Sequence, residues 1–286
     1  FKPALFKEQL RYLGPLVGAM GIGLLGTQVD RLFISGAMTP EKFAIYSVGG
    51  IGVMNAVTIV YVSIGNVCLP RFGELALQND LEGVRALWAR MVSANGLLTI
   101  PAVSFSLMFA PEIIGFLFTE AYLDAVPIWR VNILILLIQM TGYGYIPRAL
   151  GNTRAVFWGD LARTAIGAPL TIMLIMCFGL VGGAIGLVVG FYSNAVVQLV
   201  AAEKLLSTGF KGLLPWRRLG SLVLLSLPGL PIAAFAINQL GLGGFWRLFT
   251  AFVVYVLTSL FLFWWRGIID IKTMLSDDIV SDERGK

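Results

Sequence analysis

Apolar residues recur along the chain in stretches of helix-spanning length from Leu13 to Trp265, broken by short polar, proline-marked or glycine-marked connections. Crossing about 30 Å of hydrocarbon takes about 20 predominantly apolar helical residues. Read at that length, the pattern predicts helices near 12–36, 43–69, 91–110, 128–147, 155–178, 180–202, 219–238 and 245–265. The fold class is therefore all-α integral membrane, a polytopic bundle of about eight transmembrane helices. A lone targeting segment would appear once, at the start, and does not account for this recurrence.

Composition agrees with lipid as the main solvent, since 57% of residues are hydrophobic, only 13% are charged and mean hydropathy is +0.83. A net charge of +5 would suggest nucleic acid in a water-soluble chain, but here the loops account for it and no nucleic-acid role is assigned. Of the 21 Lys and Arg, Arg31, Lys42, Arg130 and Arg247 fall on one side of the predicted membrane and Arg163 inside a span, leaving 16 on the other side. Basic loops stay cytoplasmic, so both ends are expected there. The segment from Pro70 to Arg90 alternates apolar and charged residues and reads as an amphipathic surface helix or a plain connector. Pro111 to Pro127 reads as a short interfacial helix on the outer side, and the polar tail from Asp270 as mobile.

The chemistry available is narrow. With no histidine, the usual general base and commonest metal ligand are lacking. Cys68 and Cys177 lie in apolar stretches without metal or disulfide spacing. No metal or other cofactor is expected, and no connection is long enough for a catalytic domain, so the chain does not read as an enzyme. The chain opens at Phe1 rather than at methionine and is expected to continue a longer protein.

Ionisable groups inside a membrane are costly and are candidates for function. Thr27, Asp30 and Arg31 share a face of the first span, and Asp160, Arg163 and Thr164 form a polar stripe in the fifth. Arg31 and Arg163 would hold an anionic group in a hydrated cavity, because the planar guanidinium fork matches phosphate. Two local ion pairs are the plainer alternative. Asp30 and Asp160 are candidates for carrying protons or binding a coupling cation. Asn55, Thr58 and Asn66 in the second span, and Asn132 and Gln139 in the fourth, would line a cavity or bond neighbouring helices; Asn55 and Gln139 are kept as substrate-binding candidates. Gly14 and Gly18, and Gly182, Gly186 and Gly190, keep the four-residue spacing that permits close helix approach. Pro101, Pro169, Pro228 and Pro231 interrupt spans and mark bends.

A family resemblance adds to this reading. The run Pro15-Leu16-Val17-Gly18 through Gln28-Val29-Asp30-Arg31-Leu32-Phe33-Ile34-Ser35, followed by Ala44-Ile45-Tyr46-Ser47-Val48, resembles the start of the second lobe in bacterial polysaccharide flippases. Leu69-Pro70-Arg71-Phe72, Phe109-Ala110-Pro111-Glu112-Ile113-Ile114, Arg148-Ala149-Leu150-Gly151-Asn152-Thr153-Arg154 and Phe178-Gly179-Leu180-Val181-Gly182-Gly183-Ala184-Ile185-Gly186 extend it over about residues 10 to 205.

The resemblance implies a member of the multidrug, oligosaccharidyl-lipid and polysaccharide exporter superfamily, built as two six-helix lobes around a central cavity. This chain would hold a cytoplasmic lead-in (1–11), the second lobe (12–205), a cytoplasmic loop (206–218), two additional helices (219–265) and a cytoplasmic tail (266–286). The expected function is flipping of a polyprenyl-diphosphate-linked oligosaccharide between leaflets of the bacterial inner membrane by alternating access. The expected partners are that lipid-linked oligosaccharide, membrane lipids, the missing N-terminal lobe and other polysaccharide assembly proteins. A multidrug antiporter, a peptidoglycan-precursor flippase and a non-transporting assembly subunit are the alternatives.

Overall fold

The computed structural model describes residues 13–14, 17–18, 20–24, 26, 28–50, 53–241 and 243–268, with side chains of 53–56, 210 and 211 outside the description. Among the described residues all regular structure is helical, and the fold is an all-α polytopic membrane bundle. Its elements are α1 (Val29–Ala37), α2 (Pro40–Gly50), α3 (Val53–Leu77), α4 (Leu81–Met108) and α5 (Ala110–Phe118). A 3-10 turn at Glu120–Ala125 leads into α6 (Val126–Asn132), α7 (Ile135–Gln139) and α8 (Tyr145–Ala149). There follow α9 (Thr153–Leu206), α10 (Phe210–Leu213), α11 (Trp216–Ser226), α12 (Gly229–Leu240) and α13 (Gly244–Trp265).

The 54 residues of α9 would run to about 81 Å if straight, more than twice the hydrocarbon thickness. The helix is instead two limbs joined at Gly179, whose φ of 63° is open to glycine without a Cβ penalty. The limbs lie against each other through the predicted glycines. A Cβ at Gly182 would strike the Leu174 carbonyl, one at Gly186 the backbone of Thr171, and one at Gly190 the Gly167 Cα at 3.2 Å. In lipid there is no hydrophobic drive between helices, so this close backbone approach is what holds the limbs together. A Cβ at Gly18 would likewise meet the Phe157 ring at 3.2 Å, whereas one at Gly14 would meet nothing within 4 Å among the described residues.

The segment 70–90 is not a separate surface helix. α3 runs on through Pro70 to Leu77, the chain turns at Asn79 with φ 56°, and Asp80 accepts the Gly83 N–H at 2.8 Å to start α4. Capping at Asp80 lets the apolar positions Val84 and Trp88 join the buried core, where the Trp88 indole donates to the Thr141 carbonyl at 2.7 Å. The connector from Pro111 to Pro127 is helical as expected, as α5, the 3-10 turn and the start of α6.

The fourth predicted span is broken rather than continuous. Between α6 and α8 the backbone closes i to i+3 bonds, as in Leu136 N–H to Ile133 O at 3.1 Å and Gly142 N–H to Gln139 O at 3.0 Å. Gly142 has φ 58°. Three-residue bonds wind more tightly and pair less well than α-helical ones, and such stretches are tolerated at membrane depth where protein or a cavity covers them.

Helix α13, about 33 Å long for its 22 residues, fits the hydrocarbon core, with Phe245 and Trp246 at one end and Trp264 and Trp265 at the other. Aromatic residues at both ends are the interfacial belt of a spanning helix. Beside it, an apolar groove of about 630 Å³ runs between α4, α5 and α13, lined by Leu98, Phe116, Phe249, Phe252 and Leu260 among others.

Candidate functional site: two adjoining arginine cavities

Two further cavities share no lining residue with that groove. The first, about 250 Å³, is lined by Gln28, Asp30, Arg31, Tyr46, Gly50, Thr58, Asn132, Ile135, Gln139, Leu187 and Phe191. The second, about 260 Å³, is lined by Tyr61, Gln139, Gly142, Tyr143, Gly144, Tyr145, Arg148, Asp160, Arg163, Phe191, Asn194 and Gln198. Gln139 and Phe191 belong to both walls, so the cavities are neighbours. Three arginines against two aspartates leave the combined lining at +1.

In the Arg31 cavity, Asp30 is buried at 3% exposure and accepts the Tyr46 hydroxyl on Oδ2 at 2.6 Å. Among the described residues its Oδ1 has no partner, and neither has the buried Asn132 Oδ1, although Asn132 donates through Nδ2 to the Gly49 carbonyl at 3.2 Å. Unsatisfied acceptors in a dry interior are costly, so two in one cavity call for water, a proton or a cation when the site is filled. Arg31 makes no salt bridge among the described residues, since its neighbouring carboxylate is engaged by Tyr46. Its guanidinium converges with the Asn132 amide on Gly50, where an added Cβ would lie 3.8 Å from Arg31 Nη2.

The Arg163 cavity is organised by pairing. Arg163 Nη2 meets Asp160 Oδ1 at 2.8 Å, with both side chains largely buried, and the guanidinium lies over the Phe191 ring at 5.1 Å. Asn194 donates to the same carboxylate at 2.9 Å and Gln198 donates to Asn194 at 2.5 Å. The glycine packing of the two α9 limbs sets this register, because it brings residues 190–198 of one against 159–167 of the other. The first span closes the far side. A Cβ at Gly23 would lie 3.2 Å from Asp160 Oδ1 and strike the Arg163 guanidinium, while Thr164 donates to the Ile22 carbonyl at 3.0 Å.

Arg31, Asp30, Arg163, Asp160 and Gln139 thus come together around adjoining cavities. Thr58 lines the Arg31 cavity, whereas Asn66 is exposed and lines neither. The Asn55 side chain, Thr27, residues 1–12 and residues 269–286 lie outside the described residues. Tyr46, Tyr143, Arg148, Phe191, Asn194 and Gln198 were not foreseen as site residues. Asn194 and Gln198 carried a readable signal, two amides four apart inside an apolar span. Among the described residues no group of three or more His, Cys, Asp or Glu could hold a metal ion.

Residues 1–127 match the family model described as "Polysaccharide biosynthesis protein", a stretch that includes Asp30 and Arg31. The solved structure "Lipid II flippase MurJ, inward closed conformation" superposes with a TM-score of 0.71 at 19% identity, over 94% of this chain. The chain shares its fold with that flippase. It spans 57% of the length of the flippase chain. A search of curated protein sequences finds no match.

Proposed function

We propose that the complete protein containing this chain flips a polyprenyl-diphosphate-linked oligosaccharide from the cytoplasmic to the periplasmic leaflet of the bacterial inner membrane. Residues 12–205 would be the second six-helix lobe, 219–265 two additional helices, and both ends cytoplasmic, with another lobe completing the cavity wall. The observation that carries the reading is Arg31. It is a cation with no salt bridge among the described residues, lining a cavity that adjoins a second arginine cavity, in a fold shared with a lipid flippase. A diphosphate supplies the oxygens that a guanidinium fork engages in pairs.

In this reading Arg31, Arg163 and Gln139 contact the diphosphate, with Asn55 a further candidate. Rocking of the lobes exposes the cavities to each leaflet in turn, as in transporters built from repeats. Asp30, with its unpartnered Oδ1, would take up the coupling proton or cation, and Asp160 would do so once Arg163 turns to the substrate. Other polysaccharide assembly proteins would hand over and receive the lipid. No covalent step is assigned to the chain. A lipid-linked peptidoglycan precursor is the second reading, favoured by the structural likeness.

The test is leaflet accessibility of a labelled polyprenyl-diphosphate oligosaccharide in vesicles holding the full-length protein, with and without an ion gradient. Protein-dependent translocation of the oligosaccharide lipid is expected. Translocation of a peptidoglycan precursor alone would transfer the assignment to the second reading, and movement of neither would reject both.

A further inference from the structure

The boundary between the two cavities falls within three separate elements. On α3, Thr58 lines the Arg31 cavity and Tyr61, a turn later, lines the Arg163 cavity. On the broken span, Ile135 belongs to the first, Gly142 to the second, and Gln139 to both. On the returning limb of α9, Leu187 belongs to the first, Asn194 to the second, and Phe191 to both. Gln139 and Phe191 therefore stand at the junction of the two polar spaces, with Tyr61 bonded to Gln139 on the side of the Arg163 cavity.

The junction is closed by contacts that are easily remade. Tyr61 donates its hydroxyl to Gln139 Oε1 at 2.8 Å, a neutral hydrogen bond, and Phe191 is drawn to Arg163 as the ring beneath its guanidinium. Gln139 is the last residue of α7, and its carbonyl accepts the Gly142 N–H in a three-residue bond at 3.0 Å, so its side chain stands where the span leaves α-helical geometry. An anion that engages Arg163 would compete with the Phe191 ring for the guanidinium and loosen one edge of the junction.

We propose that Tyr61, Gln139 and Phe191 are a gate across the transport route, and that a phosphate-bearing headgroup passes it between successive stations at Arg163 and Arg31. The nature of the passing group rests on the function proposed above; the gate itself does not. Closed, the gate keeps the two polar spaces from becoming one continuous path for water and ions. The stations differ in kind, since Arg163 must leave Asp160 to hold the headgroup whereas Arg31 has no carboxylate to leave.

The experiment uses the full-length protein in sealed vesicles, with Cys68 and Cys177 replaced by serine. A membrane-impermeant anionic thiol reagent is added on the face that carries Arg148. Thr58→Cys reports arrival in the Arg31 cavity, and Tyr143→Cys reports entry to the Arg163 cavity. Labelling of Tyr143→Cys is expected to be ready and unchanged by the gate substitutions. Labelling of Thr58→Cys should be slow with the gate intact. It should accelerate about fivefold to tenfold with Tyr61→Phe and Gln139→Ala together, the population shift expected from one neutral hydrogen bond. Phe191→Leu, which keeps an apolar side chain in the packed limb, is a second way to open the gate if the double variant does not reach the membrane. Equal labelling of Thr58→Cys with and without these substitutions would overturn the gate, as would an unreactive Tyr143→Cys. Because labelling needs no transported lipid, a negative leaflet assay leaves a positive gate result standing, and the reverse.

Discussion

Arg31 and Arg163 sit in adjoining cavities of nearly equal volume, about 250 and 260 Å³, yet their charges are balanced in different ways. Arg163 is held by Asp160, and that carboxylate is bonded in turn by Asn194. Beside Arg31 the carboxylate of Asp30 is taken by Tyr46, and the cation has no salt bridge among the described residues. Spacing along the helix accounts for part of this difference. Asp160 and Arg163 stand three apart on one face of a helix and meet, whereas Asp30 and Arg31 are adjacent and point around the helix in different directions. Arg163 is therefore tied into the packing of α9, while Arg31 makes no salt bridge among the described residues.

The largest effect expected from this contrast is on stability at the paired site. Asp160→Ala would leave a largely buried guanidinium without its carboxylate, a change that typically costs about 3–5 kcal/mol. Thermal unfolding in detergent should show the loss, and adding Arg163→Leu to the same chain should recover much of it by removing the stranded charge. Should the double variant be no more stable than Asp160→Ala alone, the stranded Arg163 charge is not the source of the loss, which would then lie in the bond that Asn194 of the other limb makes to Asp160.

Next comes the tyrosine that separates Asp30 from Arg31. Tyr46→Phe keeps the ring, which is buried with Ile34, Ile175 and Ala184, and removes only the hydroxyl bonded to Asp30 Oδ2. A hydrogen bond to a charged group contributes about 1.5–3 kcal/mol, so unfolding should come earlier by that amount. The freed carboxylate is then expected to turn to Arg31, which would reduce the availability of the cation and lower transport beyond what the stability change explains. A variant that unfolds early but transports at the parental rate would separate Tyr46 from the site.

Among the described residues five helical stretches are long and apolar enough to cross a membrane, over 81–108, 120–139, 153–206, 216–240 and 244–265, and these were legible because lipid imposes length and apolarity on any crossing helix. The fold at Gly179 and the glycine spacing of 182, 186 and 190 could also be read, since only small residues let two limbs approach closely. The break in the fourth span could not, because its sequence is as apolar as its neighbours and the irregular bonds at Ile133 to Gly142 depend on the cavity they line. The segment 70–90 misled for a related reason. Its alternation of apolar and charged residues fits a surface helix, but a cap at Asp80 divides it between two spans. At the site, charges inside spans drew attention to Asp30, Arg31, Asp160 and Arg163. Tyr46 and Phe191, which decide how those charges are balanced, are ordinary aromatic residues of apolar helices, and nothing in the local pattern sets them apart.

The smallest structural effect, and the one that bears most directly on function, is expected at Arg31. Arg31→Ala removes a cation that no carboxylate depends on, so nothing buried is left newly unpaired and the unfolding temperature should barely change. Transport of the lipid-linked substrate should nonetheless fall about tenfold or more, the loss of one charged hydrogen-bonded contact to a phosphate group. Arg31→Lys keeps the charge but not the planar fork, and should recover only part of the rate if two phosphate oxygens are engaged together. Full recovery by lysine would mean that the cavity needs a positive charge there but not bidentate recognition. Parental transport by Arg31→Ala would place the headgroup elsewhere and leave the paired Arg163 to be tested through its lysine variant, which preserves the charge facing Asp160.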